Sequence, residues 1–585
     1  MKTTDLCSTQ RRPRRQPLRA VLFAIAAAYA ATSCGLISDD EGDGEDDLPS
    51  RPVAINDREG GNGGSANAGV AGAAGSNGEG ASPSAAGAGI GGSGFDEGGD
   101  PDVDLDDERP DPPRGGGGGN NNILRCDDSD CEVFGGECQG QTCVFLCEDD
   151  GENIDCAEDE VECPDDIDCR VECLDEGQCA QEITCPGNAN CNIECEDDNT
   201  CLAAINCAGT EACNITCTGD DSCGVNFLID NANEDLRLDC EGDRSCAVGA
   251  VECGNGQTVC NIQCGGENSC GLAIDLAGDN ADLLCDGIGS CSGAIICDGN
   301  LDNCSAQCTG DASCAQGVAC GGVGFPELCD VDCSGEGSCV GGLNCDAETC
   351  NLLCDNNSCA GNVVCGVAAG ETITCNLDCG IGSCDGTISC DTLEGNCDID
   401  CLEAGACGGA ITCTADDGTC NVDCGADDTC GQAVACNSTE NCVIACDNDN
   451  TCLGTVDCVS EEGTCNINCG VNVAGTCQQA VTCNSELDCT VTCDADNSCP
   501  QGINCVSNDQ DCLLGCGGDA ACLGNVTCDA GAICDIDCNG VGACNAGNPI
   551  TCDANDRCDV DCVANDQCLV QVACNADVIA NDCPI

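Results

Sequence analysis

The sequence predicts an all-β protein, a disulfide-stapled two-sheet β-solenoid of about twenty coils that follows a disordered linker. Three observations carry this expectation. From Cys126 to Cys583 the cysteines keep one register through nineteen units: C-x3-C, then usually five residues to a third cysteine and five more to a fourth. Between the first C-x3-C at Cys143 and the last at Cys558, 18 steps cover 415 residues, a period of about 23 that belongs to solenoids rather than to strings of independent domains. The central residue of C-x3-C is Ile, Val or Leu almost throughout, as at Ile193, Leu238, Ile262, Val331, Ile399 and Val422.

Each C-x3-C segment reads as a short strand. Side chains alternate along a strand, so in CNITC the two cysteines and Ile215 share the core face. A second strand ends at the fourth cysteine, where the residue two before it is again β-branched or Leu, as at Ile205, Val251, Val318, Ile411 and Val434. The gaps between them, CTGDDSC, CSGEGSC and CDADNSC, carry the Gly, Asn, Asp and Ser that arcs require. At about 4.8 Å of rise per coil the solenoid is on the order of 95 Å long.

Two defects in the register indicate which cysteines pair. Ile229 and Leu236 stand where one unit's fourth cysteine and the next unit's first are expected, and Leu276 and Ala281 repeat this later. Losses that occur in pairs imply that the fourth cysteine bonds to the next first, and therefore the second to the third. Every bond then joins neighbours in sequence: Cys195 with Cys201, Cys207 with Cys213, Cys413 with Cys420, Cys424 with Cys430, and Cys574 with Cys583. Thiolate metal binding is not expected, because the chain has no CxC, no CxxC and no His. With six Phe, one Tyr and no Trp the core is thin. The staples must therefore compensate for backbone entropy, each seven-residue loop contributing about 2 to 2.5 kcal/mol.

The N-terminus accounts for the oxidising compartment these bonds need. Arg11, Arg12, Arg14, Arg15 and Arg19 precede an apolar run from Ala20 to Ala31, the order of a secretory signal. The following Ala31-Thr32-Ser33-Cys34 resembles the bacterial lipobox, with Ala31 where that pattern prefers Leu. The resemblance implies a signal peptide over 1–33 and lipidation of Cys34, with outer-membrane sorting because Gly35 rather than Asp follows. Residues 34–125 are rich in Gly, Ala, Ser, Asn and Asp and form a tether without a buried core. The expected order then runs through an N-terminal capping coil (126–142), the repeats (143–574) and a C-terminal cap (575–585).

Charge excludes several functions. After Cys34 there are nine Arg, no Lys and 105 acidic residues, and Arg170, Arg237, Arg244 and Arg557 are the only cations in the repeats. Nucleic acid and anionic lipid surfaces are repelled. An enzyme is not expected: there is no His for general base work, no Lys in the mature chain, and no organised nucleophile, base and orienting carboxylate.

Over 126–585 the register resembles the cysteine-rich repeat lipoproteins of large-genome Gram-negative bacteria such as myxobacteria. The resemblance implies an exported, outer-membrane-anchored chain at the cell surface or in the periplasm, joined to the membrane by its N-terminal lipid. The architecture is also similar to disulfide-stapled insect antifreeze solenoids. Only Thr490-Val491-Thr492 supplies their Thr-x-Thr inside a C-x3-C strand, so ice binding is not expected.

The functional expectation is a non-enzymatic surface rod for envelope, matrix or adhesion roles, whose partner is an extracellular protein or polysaccharide. The alternative is a ligand- or calcium-binding module. In CDIDC and CDVDC the residues flanking the central apolar one point outward, so Asp535, Asp537, Asp559 and Asp561 are expected to form one carboxylate cluster. Asp378, Asp398, Asp400 and Asp423 are expected to stack as a second. Hard oxygen donors without His or thiolate suit Ca²⁺, the only cofactor this composition suggests.

Overall fold

The computed structural model describes Cys131 and residues 135–581, apart from short segments between strands such as 149–155 and 563–570. Cys34, the linker and Cys583 lie outside the described residues, and with Cys583 the expected Cys574 pairing.

The chain winds as a β-solenoid. Among the described residues the C-x3-C segments stack into one 21-stranded sheet, in which only the first strand, Glu137–Gln139, runs antiparallel. The strands that end at the fourth cysteine stack into a second, wholly parallel sheet. Within the C-x3-C segments register is kept residue for residue, with Cys191, Ile193 and Cys195 beside Cys213, Ile215 and Cys217. A one-residue slip would turn every apolar side chain outward, so the alternating pattern enforces this register. Val171, Ile193, Ile215, Leu238 and Ile262 form one fully buried column, and Ile183, Ile205, Val251 and Ile274 form its counterpart on the other sheet.

The cystines lie within single coils, at both turns. Cys195–Cys201, Cys207–Cys213, Cys413–Cys420 and Cys424–Cys430 are bonded, with Cα atoms 6.1 to 6.2 Å apart. Where cysteines are missing, the substitutes hold their places. Leu236 stands between Cys213 and Cys260 and is 2% exposed. Ala281 stands between Cys260 and Cys304, Ile229 beside Cys253, and Leu276 beside Cys297.

The N-terminal end departs from the rule that every bond joins neighbours in sequence. Cys131 bonds Cys143 across 12 residues, passing over Cys138. A turn at Gly140 (φ +78°) folds Glu137–Gln139 back onto Thr142–Cys147, and the parallel stack begins behind this hairpin. At the other end, Val578–Asn581 falls inside the expected cap, yet it pairs in parallel with Arg557–Val560 and extends the sheet.

The arc between second and third cysteines holds features that residue type does not announce. The residue two before the third cysteine has positive φ, as at Asn199, Asp221, Asn268 and Gly289, which the Asn, Asp and Gly content predicts. The third cysteine is itself left-handed, with φ of 50° at Cys201, 53° at Cys223 and 50° at Cys270. That conformation costs about 1–2 kcal/mol for a residue with a β-carbon. It is held by the cystine and by an amide hydrogen bond to the coil behind, Cys223 to the Thr200 carbonyl at 3.0 Å. The preceding Ser or Thr is fully buried, and Ser222 donates its hydroxyl to the Gly219 carbonyl at 2.7 Å.

The second turn changes along the chain. Up to Val363–Cys365 the second-sheet strands end at the fourth cysteine, whereas from Ile388–Thr392 onward they run past it. The residue two beyond the cysteine then points inward and is small: Thr392, Ala415, Ser438, Ser460.

Candidate functional site

The outer face of the C-x3-C sheet carries two side-chain columns, one on each side of the buried central residue. In the second column Asp378, Asp400 and Asp423 are direct neighbours on successive strands. Adjacent strands in a sheet lie about 4.8 Å apart, so these carboxylates stack at coil spacing. Asp398 stands in the first column between Asn376 and Asn421, where it accepts a hydrogen bond from Asn421 Nδ2 at 2.6 Å. The expected fourfold stack is thus a column of three with one neighbour across the strand. Together with Asp330, Asn351 and Asn376 these residues line a groove of about 710 Å³.

The second expected cluster is also two columns. Asp535 pairs with Asp559, and Asp537 with Asp561. Arg557 closes on Asp559 at 3.4 Å, so this cluster already contains a cation. Arg170 pairs with Glu172 and Glu194 at 2.8 and 3.0 Å, Arg237 with Asp239 at 3.0 Å, and Arg244 with Asp221 at 2.5 Å. Each solenoid arginine is thereby engaged by carboxylates. These pairs are exposed and each adds little to stability.

Neutral ladders separate the acidic stretches. Asn214 donates to Asn192 at 2.8 Å and Asn376 to Asn351 at 2.9 Å, each amide reaching back one coil. Between the two acidic clusters the outward residues within the C-x3-C segments are Val443, Ala445, Asn466, Asn468, Thr490, Thr492, Leu513 and Gly515, none of them charged. The amide ladders were legible in sequence, as Asn directly after the first cysteine of successive units.

Burial raises the pKa of Asp400 above the ordinary carboxylate value, and Asp423, Asp378 and Asp398 add to it. Asp423 is raised by burial and then by Asp447. Burial likewise leads at Asp535 and Asp537, with Asp559 and Asp561 the next contributors. Asp423 Oδ1 and Asp537 Oδ1 are shut off from solvent with no hydrogen-bond partner among the described residues. The donor set is hard oxygen only, which fits a divalent calcium ion better than a transition metal.

The raised values set the direction of a pH effect. A carboxyl whose folded pKa exceeds its unfolded value binds more protons folded than unfolded between the two. Stability is therefore full below the unfolded value and falls as pH rises through the folded one. The melting temperature is expected to be higher near pH 4 than near pH 7. An Asp400→Asn, Asp423→Asn chain is expected to melt higher at pH 7 and to show a flatter profile. Equal melting temperatures for both chains at pH 7 would count against the carboxylate account.

The chain matches no known protein-family model, no curated protein and no solved structure.

Proposed function

We propose that this protein is an exported, non-enzymatic structural rod, held at the outer membrane by a lipid on Cys34 and spaced from it by the linker. The supporting observation is the solenoid's construction: cystine-closed coils stacked in one register around one continuous buried core. Its cystine density fits an extracytoplasmic compartment. The acidic surface keeps rods apart from one another and from anionic surfaces, and leaves uncharged sheet bands for an extracellular protein or polysaccharide. Replacing Cys34 with Ser is expected to move the protein from the membrane fraction to the soluble one. Unchanged membrane partition of that variant would remove the anchor from this reading.

A second reading is favoured by the partnerless Asp423 Oδ1 in the groove. Here Ca²⁺ bridges Asp378, Asp400 and Asp423, relieves their repulsion and stiffens the coils that carry them. Calorimetric titration with Ca²⁺ at physiological ionic strength is expected to give saturable heat that Asp400→Asn, Asp423→Asn removes. The Asp535, Asp537, Asp559, Asp561 group is expected to bind more weakly, because Arg557 already offsets its charge. Identical heats from parent and variant would reject the groove as the site.

A further inference from the structure

The second-to-third cystines stack directly on one another. Cys201 Sγ lies 3.4 Å from Cys173 Sγ, although each belongs to a different cystine in a different coil. The arrangement repeats: Cys179 with Cys147 and Cys156, Cys223 and Cys217 with Cys195, and Cys246 and Cys240 with Cys217, the sulfurs of each group lying within 4.8 Å of one another and fully buried. In each group the third cysteine of one coil faces the second cysteine of the coil before it. Among the described residues this column is continuous from Cys147–Cys156 to Cys538–Cys544. Both natural losses, Ile229 with Leu236 and Leu276 with Ala281, fall in the other column.

We propose that the second-to-third column is a thiol-exchange relay, in which a thiol opened in one coil migrates to others through the interior while the coils stay wound. A thiolate displaces one sulfur of a disulfide and forms a new bond to the other. A thiolate on Cys223 attacks Cys195 Sγ; the Cys195–Cys223 bond forms, the Cys195–Cys201 bond breaks, and the electron pair leaves on Cys201. Cys201 then attacks Cys173 and releases Cys179, and Cys179 attacks Cys147 and releases Cys156. Each hop makes one S–S bond and breaks one, so no net oxidation occurs after the first opening. That opening takes two electrons from an external dithiol, which leaves as its own disulfide. The consequence is a rod that carries a reducing equivalent along its length and delivers a thiol far from the coil that was reduced.

The test is the full chain with Cys217→Ser, which leaves Cys223 as the starting thiol and cuts the relay on its far side. After incubation at mildly alkaline pH, acid quench and alkylation, peptide mapping is expected to find the label shared among Cys223, Cys201, Cys179 and Cys156. The share at each position falls with the number of links between coils that it requires, so Cys223 keeps the largest share and Cys156 the smallest. New Cys195–Cys223, Cys173–Cys201 and Cys147–Cys179 links should accompany it. The control is Cys253→Ser, which leaves Cys260 in the other column with Leu236 and Ala281 on either side. Its label should stay on Cys260. Label confined to Cys223 in the first chain, or spread equally in the control, overturns the relay. Should Cys217→Ser not fold, as judged by protease resistance, the wild-type chain treated with less than one equivalent of dithiol gives the same reading. Shifted second-to-third links support the relay, and native links alone overturn it.

Discussion

Complete reduction is expected to unfold the solenoid. Denaturing the protein with a thiol present and then removing the denaturant while keeping the thiol should give a chain without β-sheet circular dichroism and open to proteolysis along its length. The interior columns are single side chains per strand, nearly all Ile, Val or Leu, and much of the remaining buried apolar surface is cystine. Each cystine restricts a loop of about seven residues in the unfolded chain, worth about 2.4 kcal/mol in the chain-entropy description, and most coils carry two. Several kcal/mol per coil outweighs the net stability of a typical domain once the coils are added together. A reduced chain that regained sheet signal and protease resistance would show that hydrogen-bond ladders and aliphatic columns suffice, and would remove the cystines from the centre of the folding account.

The second large effect is expected at Gly287→Ala. Six successive arcs place glycine four residues before the third cysteine: Gly219, Gly242, Gly266, Gly287, Gly310 and Gly335. A β-carbon at Gly287 would lie 2.2 Å from the Gly266 carbonyl oxygen, and one at Gly310 equally close to that of Gly287. The obstacle is backbone whose spacing the sheets fix, so no rotamer change relieves it. The cost is expected to reach about 3 kcal/mol or more, the upper range of overpacking, with a new protease-sensitive point near residue 287. Gly337→Asn is the matched control. Gly337 has φ +69° with open space around its Cα, and Asn199, Asn268 and Asn497 already occupy the equivalent position. A Gly287→Ala chain as resistant as the control would mean that the coils separate more freely than their register implies.

The cysteine register made much of this architecture legible, because spacing survives where composition is monotonous. The paired losses at Ile229 with Leu236 and Leu276 with Ala281 pointed to fourth-to-first bonding, and in the structure those residues stand in cysteine register. Other features left fainter traces. A left-handed Cys201 or Cys223 is invisible to residue type, since a positive φ is ordinarily announced by Gly or Asn and here a tertiary constraint imposes it. Asp398 was grouped with Asp378 because both are acidic and close in sequence. Strand alternation puts Asp398 beside Asn376 instead, two residues out of phase with Asp400. The bond from Cys131 to Cys143 depends on a hairpin whose reversal only the turn at Gly140 hints at. The glycine column was readable all along, but a recurring Gly inside an arc looks like turn chemistry until coil-to-coil distances are known.

The cystines close loops within coils and do not tie one coil to the next. Pulled from its ends, such a rod is held between coils by hydrogen bonds and side-chain packing, and coils can peel away one at a time without breaking a covalent bond. Each released coil is nevertheless short. A free segment of about 23 residues extends to about 80 Å, while one whose two loops stay clipped reaches only about 50 Å. The coils that lack a cystine at Leu236 or Ala281 give up more length than their neighbours. Under tension the solenoid therefore behaves as a ratcheted tether that pays out in small uniform steps, interrupted by two longer ones.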